Sequence, residues 1–269
     1  MRGSSLSLFF FGLLVACSIN VAEKHWKQAE EFSRQGQHLR AIEEYTKVVN
    51  FGQRNPVAIR AQIEIARIYE QYIKNYPMAI RAYRDVYRRS EDRGTKLDSR
   101  AAVARIYTDH SELPQNLSFA IQEYEALFNE GGSQEKDAPD WWLAWAKALS
   151  ESGKFQDAAG KYHEFRTQFP GHREGPRSLL EEGQAHLADR SPEKAIEVFR
   201  EIITKFSSRP EYTSLVAEAY YGLGNGFEAS DQLDSALESY RQGLTTYPNR
   251  KVIELKIERV EKRRKERRF

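Results

Sequence analysis

The sequence predicts an all-α protein built as a solenoid of about six helical hairpins, closed by one more helix. Three observations lead to this fold class. An alanine is followed four residues later by an aromatic residue, and three further on by a residue that is usually apolar; this pattern occurs six times, at intervals of 37 to 41 residues. A second helical stripe precedes each alanine, and prolines separate several of the units. A repeat of this length is typical of stacked supersecondary units. The six alanines are Ala41, Ala79, Ala120, Ala158, Ala195 and Ala236.

Residues 1–16 are predicted to be a secretory signal peptide. The apolar run from Leu6 to Leu14 has the length of the apolar core of such a signal and is too short to span a bilayer. It ends in Leu14-Val15-Ala16-Cys17, which resembles the bacterial lipobox, where a lipoprotein signal is cut and the new N-terminal cysteine is lipidated. The resemblance implies lipidation of Cys17 and a lipidated tether over residues 17–22. The alternatives are an ordinary signal peptide that contains a cysteine, or a reactive lone thiol.

The hairpins are predicted over residues 23–130, which hold the first three, and 137–248, which hold the last three. The tetrapeptide Ala-Arg-Ile-Tyr occurs at 66–69 and again at 104–107. The fourth hairpin resembles the tetratricopeptide-repeat (TPR) family through the spacing of Trp142, Trp145, Ala146, Leu149, Gly153, Ala158, Tyr162, Phe165 and Pro170. This resemblance implies a right-handed superhelix in which the first helix of each hairpin lines a concave groove.

Three hairpins depart from the family spacing. The intervals Tyr69–Ala79 and Tyr107–Ala120 are long, so extra residues should lengthen the helices or the turn of the second and third hairpins. The fifth hairpin has His186 and Arg190 where an apolar residue and glycine would be typical. The loop 131–133, Gly-Gly-Ser, is the best interior candidate for a break between two groups of hairpins.

Residues 249–269 are predicted to form a basic capping helix, which covers the last hairpin. Asn249 is its predicted cap, and Ile253, Ile257 and Val260 are its buried stripe. Its basic end is explained either by favourable interaction with a helix C-terminus or by an anionic membrane or acidic partner. Within the repeats, Ser191 before Pro192 is a predicted N-cap.

The sequence gives no indication of catalysis. Its net charge of +2 argues against a general nucleic-acid binder, and its six histidines have no metal-ligand spacing. We therefore predict a protein that is not an enzyme, without catalytic residues, metal or cofactor. We interpret Gly222-x-Gly224-x-Gly226 as a helix-packing motif rather than a nucleotide-binding loop. Trp142 and Trp145 are predicted to lie in the core, with Trp141 partly exposed. Glu181-Glu182 is predicted to be part of a solvated face.

The remaining candidate site is the groove that the TPR resemblance implies. Its basic members would form a broken stripe suited to a peptide with acidic side chains or a free carboxylate, because arginine binds carboxylates bidentately. The alternative is a row of solvated charges, some neutralised by Glu70 and Asp98. The predicted groove residues are Arg60, Arg67, Arg105, Lys147, Arg177, Gln184, Tyr221 and Asn225.

These features together predict a membrane-anchored interaction scaffold of the bacterial cell envelope. Ser18 after the cysteine resembles lipoproteins sent to the outer membrane, so we expect the periplasmic face of that membrane rather than the inner membrane or the cell surface. The expected partners are the bilayer, through Cys17, and envelope or outer-membrane proteins, as in β-barrel assembly or secretin and pilus machinery. The alternative is a peptidoglycan-associated coordinator or regulator of cell-wall enzymes. An enzyme is the least favoured alternative, because the sequence shows no catalytic site.

Overall fold

The computed structural model describes residues 21–52, 54–110 and 114–267, and within these ranges the chain forms thirteen α-helices and no strand. Cys17 and the predicted signal peptide lie outside the described residues. The helices are α1 (21–34), α2 (His38–Asn50), α3 (Pro56–Ile68), α4 (Tyr76–Arg89), α5 (Arg93–Asp109), α6 (Pro114–Asn129), α7 (Ala138–Glu151), α8 (Phe155–Gln168), α9 (Gly175–Ala188), α10 (Pro192–Phe206), α11 (Thr213–Ala229), α12 (Leu233–Gly243) and α13 (Arg250–Glu266).

The chain divides into two compact units, which meet in sequence between Glu135 and Lys136, directly after the glycine-rich loop. The first unit contains α1–α6 and the second α7–α13. Within each unit, consecutive helices pack side by side and form stacked helical hairpins. In the second unit, α13 packs on α12 and covers the last hairpin with Ile253 and Val260, which are both fully buried. The predicted fold class of helical hairpins with a capping helix is confirmed.

The repeating alanines lie where the two helices of a hairpin come closest. All six of them are fully buried, and the aromatic residue four positions after each one is buried as well. A methyl group at this position lets the backbones approach, and the aromatic ring then fills the space between neighbouring helices. The aromatic residues are Tyr45, Tyr83, Tyr124, Tyr162, Phe199 and Tyr240.

Five of the turns within the hairpins share a residue in the left-handed backbone region, and the turn of the third hairpin lies outside the described residues. Gly36 and Gly153 have φ values of 73° and 81°, as expected for glycine. Lys74 (φ 58°), Arg190 (φ 59°) and Asp231 (φ 62°) occupy the same position. The left-handed backbone conformation is energetically unfavourable for residues that carry a Cβ atom. The fifth hairpin therefore makes the usual turn with Arg190 at the position where glycine is typical of the TPR family.

The extra residues of the second hairpin extend its first helix. After α3, residues Tyr69–Ile73 form a π-helical turn, which ends at the left-handed Lys74. Asn75 then begins α4, and its side chain accepts a hydrogen bond from the Met78 backbone N–H at 3.2 Å. The turn keeps its usual length, because Ala79 follows Lys74 by five residues as Ala158 follows Gly153, so the first helix absorbs the longer interval.

Two predicted N-caps are correct in position, but neither side chain makes the expected capping hydrogen bond. Ser191 precedes α10, but its hydroxyl donates to Asp189 at 3.2 Å and does not accept a backbone N–H. Asn249 precedes α13, but its side chain makes no capping hydrogen bond either.

The three glycines of α11 are close-packing positions within a helix. A Cβ atom at Gly224 would lie 2.4 Å from the Tyr240 ring, and one at Gly222 would lie 2.4 Å from the Phe199 ring. A Cβ atom at Gly226 would lie 2.8 Å from Ile196. These glycines let α10 and α12 approach α11, which confirms the packing interpretation.

The tryptophan cluster belongs to the core of the second unit, as predicted. Trp142 and Trp145 are buried, whereas Trp141 is partly exposed. The Trp142 indole N–H donates to the Lys161 carbonyl oxygen at 3.0 Å, which ties α7 to α8.

Candidate interaction site

The predicted groove residues of the first unit lie on α3 and α5, directly beside the buried alanines of the helix contact. Arg67 follows Ala66 and Arg105 follows Ala104, and both arginine side chains are about half exposed. Arg67 pairs with Glu64 at 2.8 Å. Arg60 is exposed, and its guanidinium carbon lies 5.1 Å from the centre of the Trp26 ring, a cation–π arrangement.

Arg105 is bound to a buried carboxylate. Its guanidinium lies 2.6 Å from Glu70 Oε1 and 3.7 Å from Asp109 Oδ2. The Tyr83 hydroxyl donates to the other Glu70 oxygen at 3.0 Å. Burial and the adjacent Glu70 carboxylate raise the pKa of Tyr83 above its ordinary range, so this hydroxyl remains a donor. Most of the positive charge of Arg105 is therefore compensated within the protein.

The basic groove residues of the second unit are also paired with acids. Lys147 lies 3.6 Å from Glu151 on α7. Arg177 lies 2.9 Å from Glu181 on α9 and 3.0 Å from Glu218 on α11. All three of these carboxylates remain partly exposed, so the pairs face water, and their net contribution to stability is small.

These pairs surround a recess between α7, α8 and α9 with a volume of about 390 Å³. Leu143 and Tyr162 supply apolar surface, and Ser150 supplies a hydroxyl group, whereas the buried Ser178 hydroxyl donates to the Gly175 carbonyl oxygen. The recess therefore combines hydrogen-bond donors and acceptors, charges of both signs and an apolar surface. Such a lining can bind the backbone amides and side chains of an extended peptide segment. The charged residues that line it are Lys147, Arg177, Glu151, Glu174 and Glu181.

The other predicted groove residues of this unit have different surroundings. Gln184 is exposed on α9. Asn225 Oδ1 lies 2.8 Å from the Tyr240 hydroxyl, and Tyr221 packs against Tyr240 and Tyr247 with ring centroids 6.0 and 5.1 Å apart. Of the five predicted residues in the second unit, only Lys147 and Arg177 line the recess.

The capping helix covers the surface beside Tyr221. Lys256 Nζ lies 5.9 Å from the centre of the Tyr221 ring and 3.4 Å from Glu228 Oε2. Arg259 and the Tyr240 hydroxyl also bind the Glu228 carboxylate. Burial alone would raise the pKa of Glu228, but Lys256, Tyr240 and Arg259 outweigh that effect and lower it.

The basic end of α13 binds acids of its own unit. Arg263 lies 2.6 Å from Asp231, and Arg267 pairs with the other oxygen of the same carboxylate. Arg264 lies 2.8 Å from Asp234. Sequence reasoning considered a helix dipole, a membrane and an acidic partner, but it missed these acids at the turn between α11 and α12. No sequence motif marks Asp231 or Asp234 as a partner of α13.

Glu182 corrects the expectation of a solvated acidic pair. Its carboxylate is buried and pairs with Arg166, while His163 and His186 lie 3.7 and 3.9 Å from Glu182 Oε1. Burial lowers the pKa of His186, although Glu182 opposes that effect. Glu181, by contrast, stays partly exposed and contacts Arg177. Adjacent residues on a helix point in directions about 100° apart, and here Glu182 points towards α8 while Glu181 points towards solvent.

The part of the chain that the structure describes contains neither a cluster of metal ligands nor a membrane-spanning helix. Residues 21–52, 54–110 and 114–267 contain no group of three histidine, cysteine or acidic residues that could hold a metal ion. None of the described helices combines the length and apolar character that crossing a membrane requires.

Comparison with known proteins agrees with this architecture. Residues 143–210, which include the recess, match the family described as Tetratricopeptide repeat. The chain has the TPR fold. A TPR repeat-containing protein from Cytophaga hutchinsonii is similar in structure with a TM-score of 0.56 at 17% identity, over 82% of this chain and 78% of that one. No curated protein sequence matches the chain.

Two further TPR structures extend the similarity. A tetratricopeptide repeat protein from Parabacteroides merdae has a TM-score of 0.53 at 13% identity, over 90% of this chain and 99% of that one. YrrB, described as a TPR protein with an unusual peptide-binding site, has a TM-score of 0.56 at 12% identity, over 78% of this chain and 95% of that one. Identities this low show a shared fold.

Proposed function

We propose that this protein is a membrane-anchored scaffold whose second unit binds a segment of a partner protein in the recess between α7, α8 and α9. The observation that carries the proposal is that Lys147 and Arg177, selected from sequence alone, both line this recess. The same fold bears a peptide-binding site in YrrB. TPR proteins act as protein-interaction scaffolds. The role that we propose for this protein is likewise non-catalytic.

The charges of the recess favour a particular kind of segment. Arg177 is shared between Glu181 and Glu218, so an incoming carboxylate has to compete with acids already in place. The recess also presents Glu151 and Glu174, which repel a strongly acidic ligand. We therefore expect a segment that carries both signs of charge or a single acidic group, rather than a run of acids.

The test of the recess is affinity purification from detergent-solubilised membranes with charge-reversal variants. Lys147→Glu and Arg177→Glu should lose a partner that the wild-type protein retains, as identified by mass spectrometry. Lys205→Glu is the matched control. Like Lys147 it forms an i, i+4 pair, with Glu201, and the two lysine side chains are 59% and 57% exposed, but Lys205 lies on α10. Equal loss from the recess variants and the control would refute a specific role for the recess.

The anchor is proposed from the lipobox, with Cys17 acylated and the protein on the periplasmic face of the outer membrane. Metabolic labelling with an alkyne fatty acid should mark the wild-type protein and leave Cys17→Ala unlabelled. Cys17→Ala should also leave the membrane fraction, because membrane affinity grows with each buried methylene group of the lipid. An unlabelled wild-type protein would refute the anchor.

Two processes fit such a scaffold. The first is assembly of an outer-membrane complex, either β-barrel or secretin and pilus machinery, and it predicts that the partner lost from the recess variants is an outer-membrane protein. The alternative is coordination of cell-wall enzymes at peptidoglycan. Co-sedimentation with purified murein, or recovery of murein enzymes in the same purification, would favour the alternative.

A further inference from the structure

The end of the first unit at which α1 begins exposes several apolar side chains. Val21 starts the described part of α1, Phe51 follows α2, and Val57 lies in the first turn of α3; they are 39%, 46% and 41% exposed. Large apolar side chains scattered singly over a surface are ordinary, so the case for an interaction surface rests on what accompanies these three residues.

Phe51 contacts the first helix. Its ring stacks on His25 with ring centroids 6.1 Å apart, and His25 Nδ1 lies 2.6 Å from Glu44. Val21 is four residues before His25, so it lies on the same face of α1. Asn55 accepts a hydrogen bond from the Val57 backbone N–H at 2.9 Å and fixes the start of α3.

The charge of this end suits an anionic surface. Lys24 and Arg54 are both exposed here. The nearby acids are paired, because Glu23 lies 2.7 Å from Lys27, and Glu44 binds His25 and Lys47. Exposed apolar side chains beside cations are typical of protein surfaces that rest in the interface of a bilayer with anionic lipids.

The chain outside the described residues leads to the same surface. Cys17 is four residues before Val21, so these two residues are at most about 14 Å apart. The opposite end of the hairpin, where Leu39 is 67% exposed, lies the length of α1 away. The fourteen described residues of α1 span about 20 Å.

We infer that the end of the first unit formed by Val21, Phe51 and Val57 rests on the bilayer, with Phe51 in the interface and Leu39 directed away from it. The inference depends on the proposed acylation of Cys17. It adds a second contact with lipid, which fixes the orientation of the first unit rather than leaving it on a free tether. Membrane affinity grows with the apolar surface buried in lipid, so such a contact also strengthens membrane attachment.

The test uses the lipidated protein in vesicles of phosphatidylethanolamine and phosphatidylglycerol at a ratio of about three to one. Cys17 is the only cysteine and is blocked by lipidation, so Phe51→Cys, Val57→Cys and Leu39→Cys each offer one thiol for a nitroxide label. On vesicle binding, labels at 51 and 57 should gain collisions with oxygen and lose collisions with a water-soluble nickel complex severalfold. The label at 39 should keep its values in water.

Flotation of the vesicles separates failure of the inference from failure of the anchor. If the protein floats with the vesicles while the labels at 51 and 57 keep aqueous values, the membrane contact is wrong and the anchor stands. If the label at 39 enters the lipid instead, the orientation is wrong. If the purified wild-type protein does not float, the proposed anchor is wrong and the inference falls with it. Two independent sites guard against one substitution disturbing the fold.

Discussion

Replacing Gly224 by alanine should destabilise the second unit although alanine is the better helix former. The added Cβ would lie 2.4 Å from Tyr240 Cε1, whereas carbon atoms pack at about 3.5–4.0 Å. The helices would have to separate by about 1 Å, or the Tyr240 ring would have to move. The ring is fully buried, and its hydroxyl contacts Asn225 and Glu228.

The expected magnitude follows from these contacts. Overpacking of a core costs about 1–3 kcal/mol, and loss of the hydrogen bond to the Glu228 carboxylate costs about 1.5–3 kcal/mol if the ring moves. Alanine in a helix returns about 0.5–1 kcal/mol. If the ring moves, the free energy of unfolding should therefore fall by about 1.5–5.5 kcal/mol. Gly160→Ala is the matched control, because Gly160 is exposed within α8 and its added Cβ meets no atom within 4 Å. That variant should gain about 0.5–1 kcal/mol.

Urea unfolding followed by circular dichroism measures both variants, and amide hydrogen exchange in α11 and α12 localises the effect. The local measurement is needed because long repeat arrays do not always unfold in a single cooperative step. A Gly224→Ala protein that is as stable as Gly160→Ala would show that α11 and Tyr240 are not in close contact, and it would refute the packing argument.

Three further predictions concern a turn, a histidine and the capping helix. Arg190→Gly should raise the free energy of unfolding by about 0.5–1 kcal/mol in urea titration, since glycine removes the cost of a left-handed arginine; a loss would contradict this. Burial lowers the pKa of His186, so the unfolded state gains a proton first and stability should fall as the pH drops below about 6.5. His186→Gln should flatten that loss in pH-dependent thermal melts, and an unchanged profile would exclude His186 as its source. Glu228→Gln should speed hydrogen exchange in α13 at least severalfold, because it breaks the contacts to Lys256 and Arg259; exchange like that of the wild type would contradict this.

Much of the fold could be predicted because it repeats. Each hairpin buries an alanine and an aromatic residue at fixed spacing, so six weak local patterns reinforce one another. The turn at Arg190 could not be predicted in this way. A glycine is the usual sign of the turn, but packing on both sides imposes the same backbone on arginine, so tertiary structure overrides the local preference.

The candidate site was harder to predict because side-chain partners come from other hairpins. Arg177 looks like a free cation in sequence, but Glu218, 41 residues later, lies 3.0 Å away. Glu182 looks solvated beside Glu181, yet it is buried against Arg166 of the preceding helix. Helical periodicity tells which face a residue occupies, whereas its charge partner depends on the register between neighbouring helices.

The groups at the end of α13 illustrate the same limit. Its basic run could be read from the sequence, but its partners Asp231 and Asp234 lie about 30 residues earlier at a hairpin turn. Neither residue belongs to a motif. Only the docking of α13 on α12 brings the opposite charges together.

The measurement that tests the central claim most directly is site-specific photo-crosslinking from the second unit in intact cells. A benzophenone amino acid at Ser150, which lines the recess, or at Gln184, exposed on the same helix as Arg177, should capture one and the same partner. The same amino acid at Gln168, exposed on α8, serves as the control and should capture none of it. Capture from Gln168 alone, or equal capture from all three positions, would contradict a partner site at the recess.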